Sequence, residues 1–267
     1  MLLKKKCLGS VLFLFFLGCG NTEALTSHAS SASTVQDDTN AANLLTVESE
    51  IFSAIQNAYV GDGLSAFDNI EAKLAKIPID KGTTIKYYRN YWLAFLKYKK
   101  SIELMRAGRR EESQAPLSQA IEILNGVDTL ESEMHVLRAL ANGLYLQFAP
   151  REEVFSYIGT VNSSLAKSLE KDNTNIRAYY ANAISDFNTP KEYGGGARAE
   201  SLLNQALKLD NPEGVSPNPT WGRPESMALL VEVYLNSDRK EQAKTLFQQA
   251  LSQYPDSVDI IELRKRF

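Results

Sequence analysis

Pro224-Glu225-Ser226-Met227-Ala228-Leu229-Leu230-Val231-Glu232-Val233-Tyr234, the turn Ser237-Asp238-Arg239, and Lys240-Glu241-Gln242-Ala243-Lys244-Thr245-Leu246-Phe247-Gln248-Gln249-Ala250-Leu251, closing at Pro255, decide how this chain folds. A proline is tolerated in the first turn of a helix, where its missing N–H would have no partner anyway. Met227, Leu230, Val231 and Tyr234 recur three and four apart, so they share one helical face. Ala243 and Ala250 are small where two helices must cross closely, and Phe247 fills the space between them. Pro255 stops the second helix. The segment predicts a helical hairpin.

The same register recurs upstream. Ala199, Leu203 and Ala206 repeat the second-helix spacing, with Ala178-Tyr179-Tyr180-Ala181-Asn182-Ala183 as the first helix of that unit. Ala139 to Leu146 predicts another first helix, with Val161, Leu165 and Ser168-Leu169 on its partner. Leu104, the turn from Ala107 to Glu112, and Ser113, Leu117 and Ala120 predict a further unit. The earliest has Gly61-Asp62-Gly63 before Ala66, Ile70 and Leu74, with Pro78 at the stop. Such a period means a stacked array. The Ala-x3-Phe-x2-Ala spacing with its closing proline resembles the tetratricopeptide (TPR) repeat. That resemblance covers most of the chain and is most specific in the last unit. The expected fold class is all-α: a helical-hairpin solenoid of about five TPR-like helix pairs, with a polar C-terminal capping helix from Ser257 to Phe267.

Two loops depart from the repeat. One is the insertion Thr189 to Gly196, containing Tyr193, Gly194, Gly195 and Gly196. The other runs from Pro212 to Arg223 and contains Trp221-Gly222. Insertions in a repeat array often carry function. Glycine-rich insertions of this kind, followed by Trp-Gly, resemble those of other bacterial TPR lipoproteins.

The N-terminus speaks to location. Lys4, Lys5 and Lys6 precede the apolar run Leu8 to Leu17, and Gly18-Cys19 closes it. A charged start followed by about 10 apolar residues is the layout of a secretory signal, well short of the about 20 residues of a membrane span. Phe16-Leu17-Gly18-Cys19 resembles the lipobox of bacterial lipoproteins, with Phe16 and Leu17 standing where that family usually has Leu and Ala or Ser. The resemblance implies a signal peptide over 1–18, lipidation at Cys19, and attachment in the bacterial cell envelope, on the periplasmic side of the outer membrane. Residues 19–43 are small and polar, and predict a tether. The body spans 44–267.

Composition narrows the function. The formal net charge is −3 and the pI is near 5.6. This gives no basic footprint for nucleic acid. Neither a G-x-S-x-G elbow, a P-loop nor an H-E-x-x-H motif occurs. Of the two histidines, His28 lies in the tether. His135 stands at a helix start and reads as a surface or capping residue. With Cys7 in the signal and Cys19 lipidated, no zinc site of the usual ligands is expected. Glu111-Glu112 and Glu152-Glu153 suit helix starts, and adjacent helical residues do not face each other as an acid–base pair must. Gly194 to Gly196 with Arg198 could cradle an anion at a helix start, but reads more simply as a tight turn. The expectation is a binding protein without a cofactor, not an enzyme.

The helix carrying Tyr87, Tyr88, Tyr91, Trp92, Phe95 and Tyr98 has more aromatic groups than one buried stripe holds, which predicts some at an interface. In TPR proteins the first helices line a concave groove. That resemblance implies Tyr98, Arg106, Gln147, Arg177, Tyr180, Ile184, Asn188, Glu225, Glu232 and Asn236 as groove residues, with Tyr180 and Asn188 foremost. The expected partner is an envelope protein or peptide in an open groove. The alternative is a small-molecule-binding accessory lipoprotein of an uptake system, with an enclosed pocket near Tyr193 and Trp221.

Overall fold

The structure, a computed structural model, describes residues 43–61, 63–78, 83–127, 130–209 and 217–267. The expected signal peptide, Cys19 and all of the tether but Asn43 lie outside these residues. No described helix is long and apolar enough to cross a membrane.

Helices pair along the chain as α1 (Val47–Val60) with α2 (Ser65–Ala75), α3 (Thr83–Arg106) with α4 (Arg110–Asn125), and α5 (Ser132–Tyr145) with α6 (Val154–Lys171). Two further pairs follow, α7 (Ile176–Asn188) with α8 (Ala199–Lys208), and α9 (Arg223–Asn236) with α10 (Lys240–Gln253). A short α11 (Val258–Glu262) runs into a 3-10 turn, Leu263–Arg266. There is no strand among the described residues. The described residues form an all-α solenoid of five helix pairs and a terminal helix.

The small-residue crossings are where the spacing put them. Ala199, Leu203 and Ala206 are buried on α8, and Ala243, Phe247 and Ala250 on α10. Asn175 caps α7 by accepting from the Arg177 N–H at 2.9 Å. The Glu225 carboxylate reaches back to the Gly222 N–H at 2.8 Å and closes the start of α9, as an acid at the third helical position can.

The terminal helix differs from a polar cap. Val258, Ile260 and Leu263 are buried, because α11 lies between α9 and the first helix of the chain. Packing runs from α1 to α3, α5, α7, α9 and α11, and from α11 back to α1. The first helices of the pairs form a closed ring. Gln56 on α1 donates to the Asp256 carbonyl at 2.9 Å across the seam. The Lys265 ammonium lies 5.7 Å from the Tyr59 ring centroid.

Candidate functional site

Closure changes what the inner face of the array can do. α3, the longest helix, packs on α1, α2, α4 and α5 at once. Tyr91, Trp92, Phe95 and Tyr98 are therefore all buried, and so are Lys97, Lys99, Ser101 and Glu103. Tyr87 and Tyr88, nearer the start of α3, are half-buried, and the rest of the aromatic surplus expected at an interface is absorbed by the covered part of the helix.

Trp221 sits at the centre. It is 3% exposed. Its ring stacks on Phe95 at 5.1 Å and meets Tyr180 edge-on at 6.1 Å. The indole N–H donates to the Tyr91 hydroxyl at 2.8 Å. Glu48 accepts from the backbone N–H groups of Thr220 and Trp221, each at 2.8 Å. Arg177 donates to the Trp221 carbonyl at 2.8 Å and grips Glu133 with a two-pronged contact at 2.6 and 2.9 Å. Trp92 donates to the Pro217 carbonyl at 3.0 Å. Residues 217–222, just before α9, thus form a plug, and Trp221 is not a loop-tip binding residue.

A charge cluster lies beside it, with Lys99, Glu103 and Glu225 buried and Arg106 and Asp259 half-buried. The Lys99 ammonium is 3.6 Å from Glu225 and 3.8 Å from Asp259. It also faces the rings of Phe52, Phe95 and Trp221 at 5.5 to 6.0 Å. Arg106 pairs with Glu103 at 2.6 Å and with Asp259. Burial pushes the Tyr98 and Tyr180 hydroxyls far above the usual phenol range.

The predicted groove residues divide accordingly. Tyr98, Arg106, Arg177, Tyr180 and Glu225 lie on the inner helices, where Arg106 pairs with Glu103, Arg177 with Glu133 and the Trp221 carbonyl, Glu225 with the Gly222 N–H, and Tyr180 with the Trp221 ring, while Tyr98 is buried. Ile184 packs with Leu203, Leu230 and Val233. Gln147 is exposed at the turn after α5, where it accepts from Arg110. Glu232 pairs with Arg266 at 2.6 Å. Asn188 and Asn236 are exposed at helix ends.

The glycine-rich insertion answers its own anion-binding potential. The Asp186 carboxylate accepts from the Arg198 and Ala199 N–H groups at 2.9 Å each, so it already occupies the start of α8. Gly195 is required sterically, since a Cβ there would lie 1.8 Å from the Thr189 carbonyl oxygen. Tyr193 projects into solvent at 79% exposure. His135, expected at the surface, is buried where α6 crosses α5, and its Nδ1 has no partner. Burial and the nearby Lys167 and Arg138 lower its pKa.

The buried carboxylates make stability depend on pH in two directions. Burial raises the pKa of Glu48 and Glu103 above the ordinary 4.5, against the bonds from Thr220 and from Arg106. Their contribution is fully present below 4.5 and is lost as pH rises through the raised values. Asp259 is the reverse. Burial opposes its ionisation, but Lys99 and Arg106 hold its pKa below 3.8. Its contribution is present above 3.8 and is lost as pH falls through the depressed value. In urea titrations these three carboxylates together favour the interval between the two windows, while the depressed His135 adds stability as pH rises toward 6.5. Glu48→Gln should flatten the decline on the side above 4.5. A decline that Glu48→Gln leaves unaltered would remove Glu48 as its source.

An open groove lies elsewhere. It has a volume of about 560 Å³ and runs between α8, α9 and α10. Leu207, Met227, Leu230 and Tyr234 make an apolar floor, and Gln242, Thr245, Gln249 and Gln253 line the α10 wall. Arg223 and Glu241 also border it. Sequence reading missed this wall. Its signal is the polar spacing of three, four and four along α10, which resembles any solvated face. Among the described residues no group of acids, histidines or cysteines could hold a metal ion.

No protein-family model matches this chain, and no curated protein matches it. Two solved structures are similar to it. A thermophilic TPR protein of Thermus thermophilus is 17% identical, with 78% of this chain and 93% of that chain covered, at a TM-score of 0.47. The HusA haemophore from Porphyromonas gingivalis is 25% identical, with 71% of this chain and 94% of that chain covered, at a TM-score of 0.46.

Proposed function

We propose that this protein is a lipid-anchored binding module of the bacterial cell envelope, which holds an extended segment of another envelope protein in the groove between α8, α9 and α10. The observation that carries this reading is the pairing of an apolar floor with an amide-bearing wall. Gln242 to Gln253 spans about 16 Å of helix at 1.5 Å per residue. An extended peptide of about five residues has the same length. A glutamine side chain both donates and accepts, as a peptide backbone does, and the floor offers places for alternate side chains.

The envelope location rests on the basic start, the apolar run and Cys19. A role in binding rather than catalysis accords with the ring interior, whose acids and bases are consumed in pairs that hold the fold. The alternative of a small-molecule accessory placed an enclosed pocket near Tyr193 and Trp221. Trp221 is packed solid and Tyr193 stands in solvent, so that place offers none.

A photo-crosslinking residue at position 249 tests the groove in intact cells. One dominant protein adduct is expected, absent when the same group is placed at position 188. Gln249→Arg, at an exposed position, should weaken capture of that protein by about tenfold or more, as loss of a central interface contact does. Equal adducts from both positions, or capture indifferent to Gln249→Arg, would defeat the groove reading.

A further inference from the structure

The α8–α10 groove lies between two helices that both pack on α9. Part of its floor, Met227, Leu230 and Tyr234, belongs to α9 itself. The separation of α8 from α10 therefore depends on how α8 meets the α9–α10 hairpin. Within the hairpin a short turn, Ser237 to Arg239, fixes the two helices. No short turn joins α8 to α9, so side chains must set that angle.

Two arginines do so, one at each end of α8. Arg223 is the first residue of α9, where a cation opposes the dipole of its own helix. Its guanidinium serves the end of α8 instead, donating to the Leu207 carbonyl at 2.8 Å and to the Leu209 carbonyl at 3.0 Å. The last carbonyls of a helix have no partner within it and form the negative end of its dipole. At the start of α8, Arg239 grips the Glu200 carboxylate with bonds of 2.8 and 2.6 Å. The same guanidinium lies 4.4 Å from the Tyr234 ring centroid. Arg223, Leu207 and Tyr234 all border the groove.

Both contacts use the arginine fork. Two donors on one planar group, held by two acceptors, resist rotation as well as separation. The Arg239 and Glu200 side chains are 32% and 39% exposed, and pairs so open to water add little stability. Attachment of α8 comes from the buried Ala199 and Leu203, packed with Leu230 and Val233. The arginines thus act on the orientation of a helix that the apolar cluster already holds.

We infer that Arg223 and Arg239 are positioning residues for the groove, which hold α8 at a fixed separation from α10 and so keep the groove at the width that admits an extended segment. Their purpose rests on the groove reading above, but the separation is measurable with no partner present.

Spin labels at Gln205 of α8 and Gln248 of α10, both exposed and outside the groove lining, report that separation in the purified full chain by pulsed dipolar spectroscopy. One narrow distance distribution is expected. Arg223→Gln and Arg239→Gln should each broaden or shift it. Arg223→Lys keeps the charge but loses the fork, and should fall between. With the photo-crosslinking group at position 249, both glutamine variants should lose the protein adduct severalfold, and Arg223→Lys should restore part of it. Circular dichroism at the same temperature must show each variant folded, which separates a shifted helix from an unfolded chain. A distribution unchanged in both glutamine variants would overturn the inference, and so would a shifted one with undiminished adduct. No adduct even from the unsubstituted protein, with the distribution still broadened by Arg223→Gln, would defeat the groove reading and uphold the two clamps.

Discussion

Trp221→Ala is expected to remove about 4 kcal/mol from the unfolding free energy, within the about 3–5 kcal/mol typical of emptying a buried tryptophan site. The loss has named parts. The stack on Phe95 and the edge contact with Tyr180 disappear. The Tyr91 hydroxyl loses the donor it accepts from. The backbone bonds to Glu48 and from Arg177 remain possible but lose the ring that seated them. Against a total stability of about 5–15 kcal/mol, a change of this size brings the fold near its limit. Guanidinium unfolding followed by circular dichroism measures it. A loss below about 1 kcal/mol, the ordinary effect of a point substitution, would mean that Trp221 is not the centre of the packing.

Arg177→Met should cost nearly as much, for a different reason. Methionine keeps the length of the stem but leaves the Glu133 carboxylate and the Trp221 carbonyl without their donor. Removing one partner of a buried pair costs about 3–5 kcal/mol. The Glu133 side chain is 17% exposed, so the lower end, about 3 kcal/mol, is expected. The second substitution Glu133→Gln separates the causes. If the cost is an abandoned charge, the double variant should recover about 1 kcal/mol or more relative to Arg177→Met. A double variant as weak as the sum of the two single ones would place the cost in lost packing instead.

These effects concern residues whose surroundings the sequence showed only in part. The hairpins were legible because a helix pair is a local object. Ala243, Phe247 and Ala250 meet neighbours a few turns away, and their spacing records the crossing. Ring closure is not local. Whether α11 reaches α1 depends on small rotations summed over five pairs, and no single spacing records that sum. Nothing in the spacing of Lys99, Glu103 and Asp259 marks them as neighbours, although Lys99 lies 3.8 Å from Asp259 and Arg106 bridges Glu103 and Asp259. Tyr98, Arg106, Arg177, Tyr180 and Glu225 lie on the inner helices. What could not be read was that a loop from the same chain fills the space between them. His135 shows the same limit on a smaller scale, since its burial comes from α6 and not from its own helix. The α8–α10 groove escaped notice because exposed glutamines on a helix carry no mark of whether an apolar floor lies beside them.

The seam where α11 meets α1 also bears on the order of folding. An open repeat array grows by nearest-neighbour contacts, and each unit settles when its neighbour arrives. Here Gln56 and Asp256 meet across a sequence separation of 200 residues. Contacts so distant along the chain slow folding, because the loop between them must be closed before they contribute. The first helix, earliest to be synthesised, waits for the last before its exposed flank is covered. During that interval the amino-terminal pair is the vulnerable part of the chain, open to aggregation or to a chaperone, while its eventual neighbour is still being made.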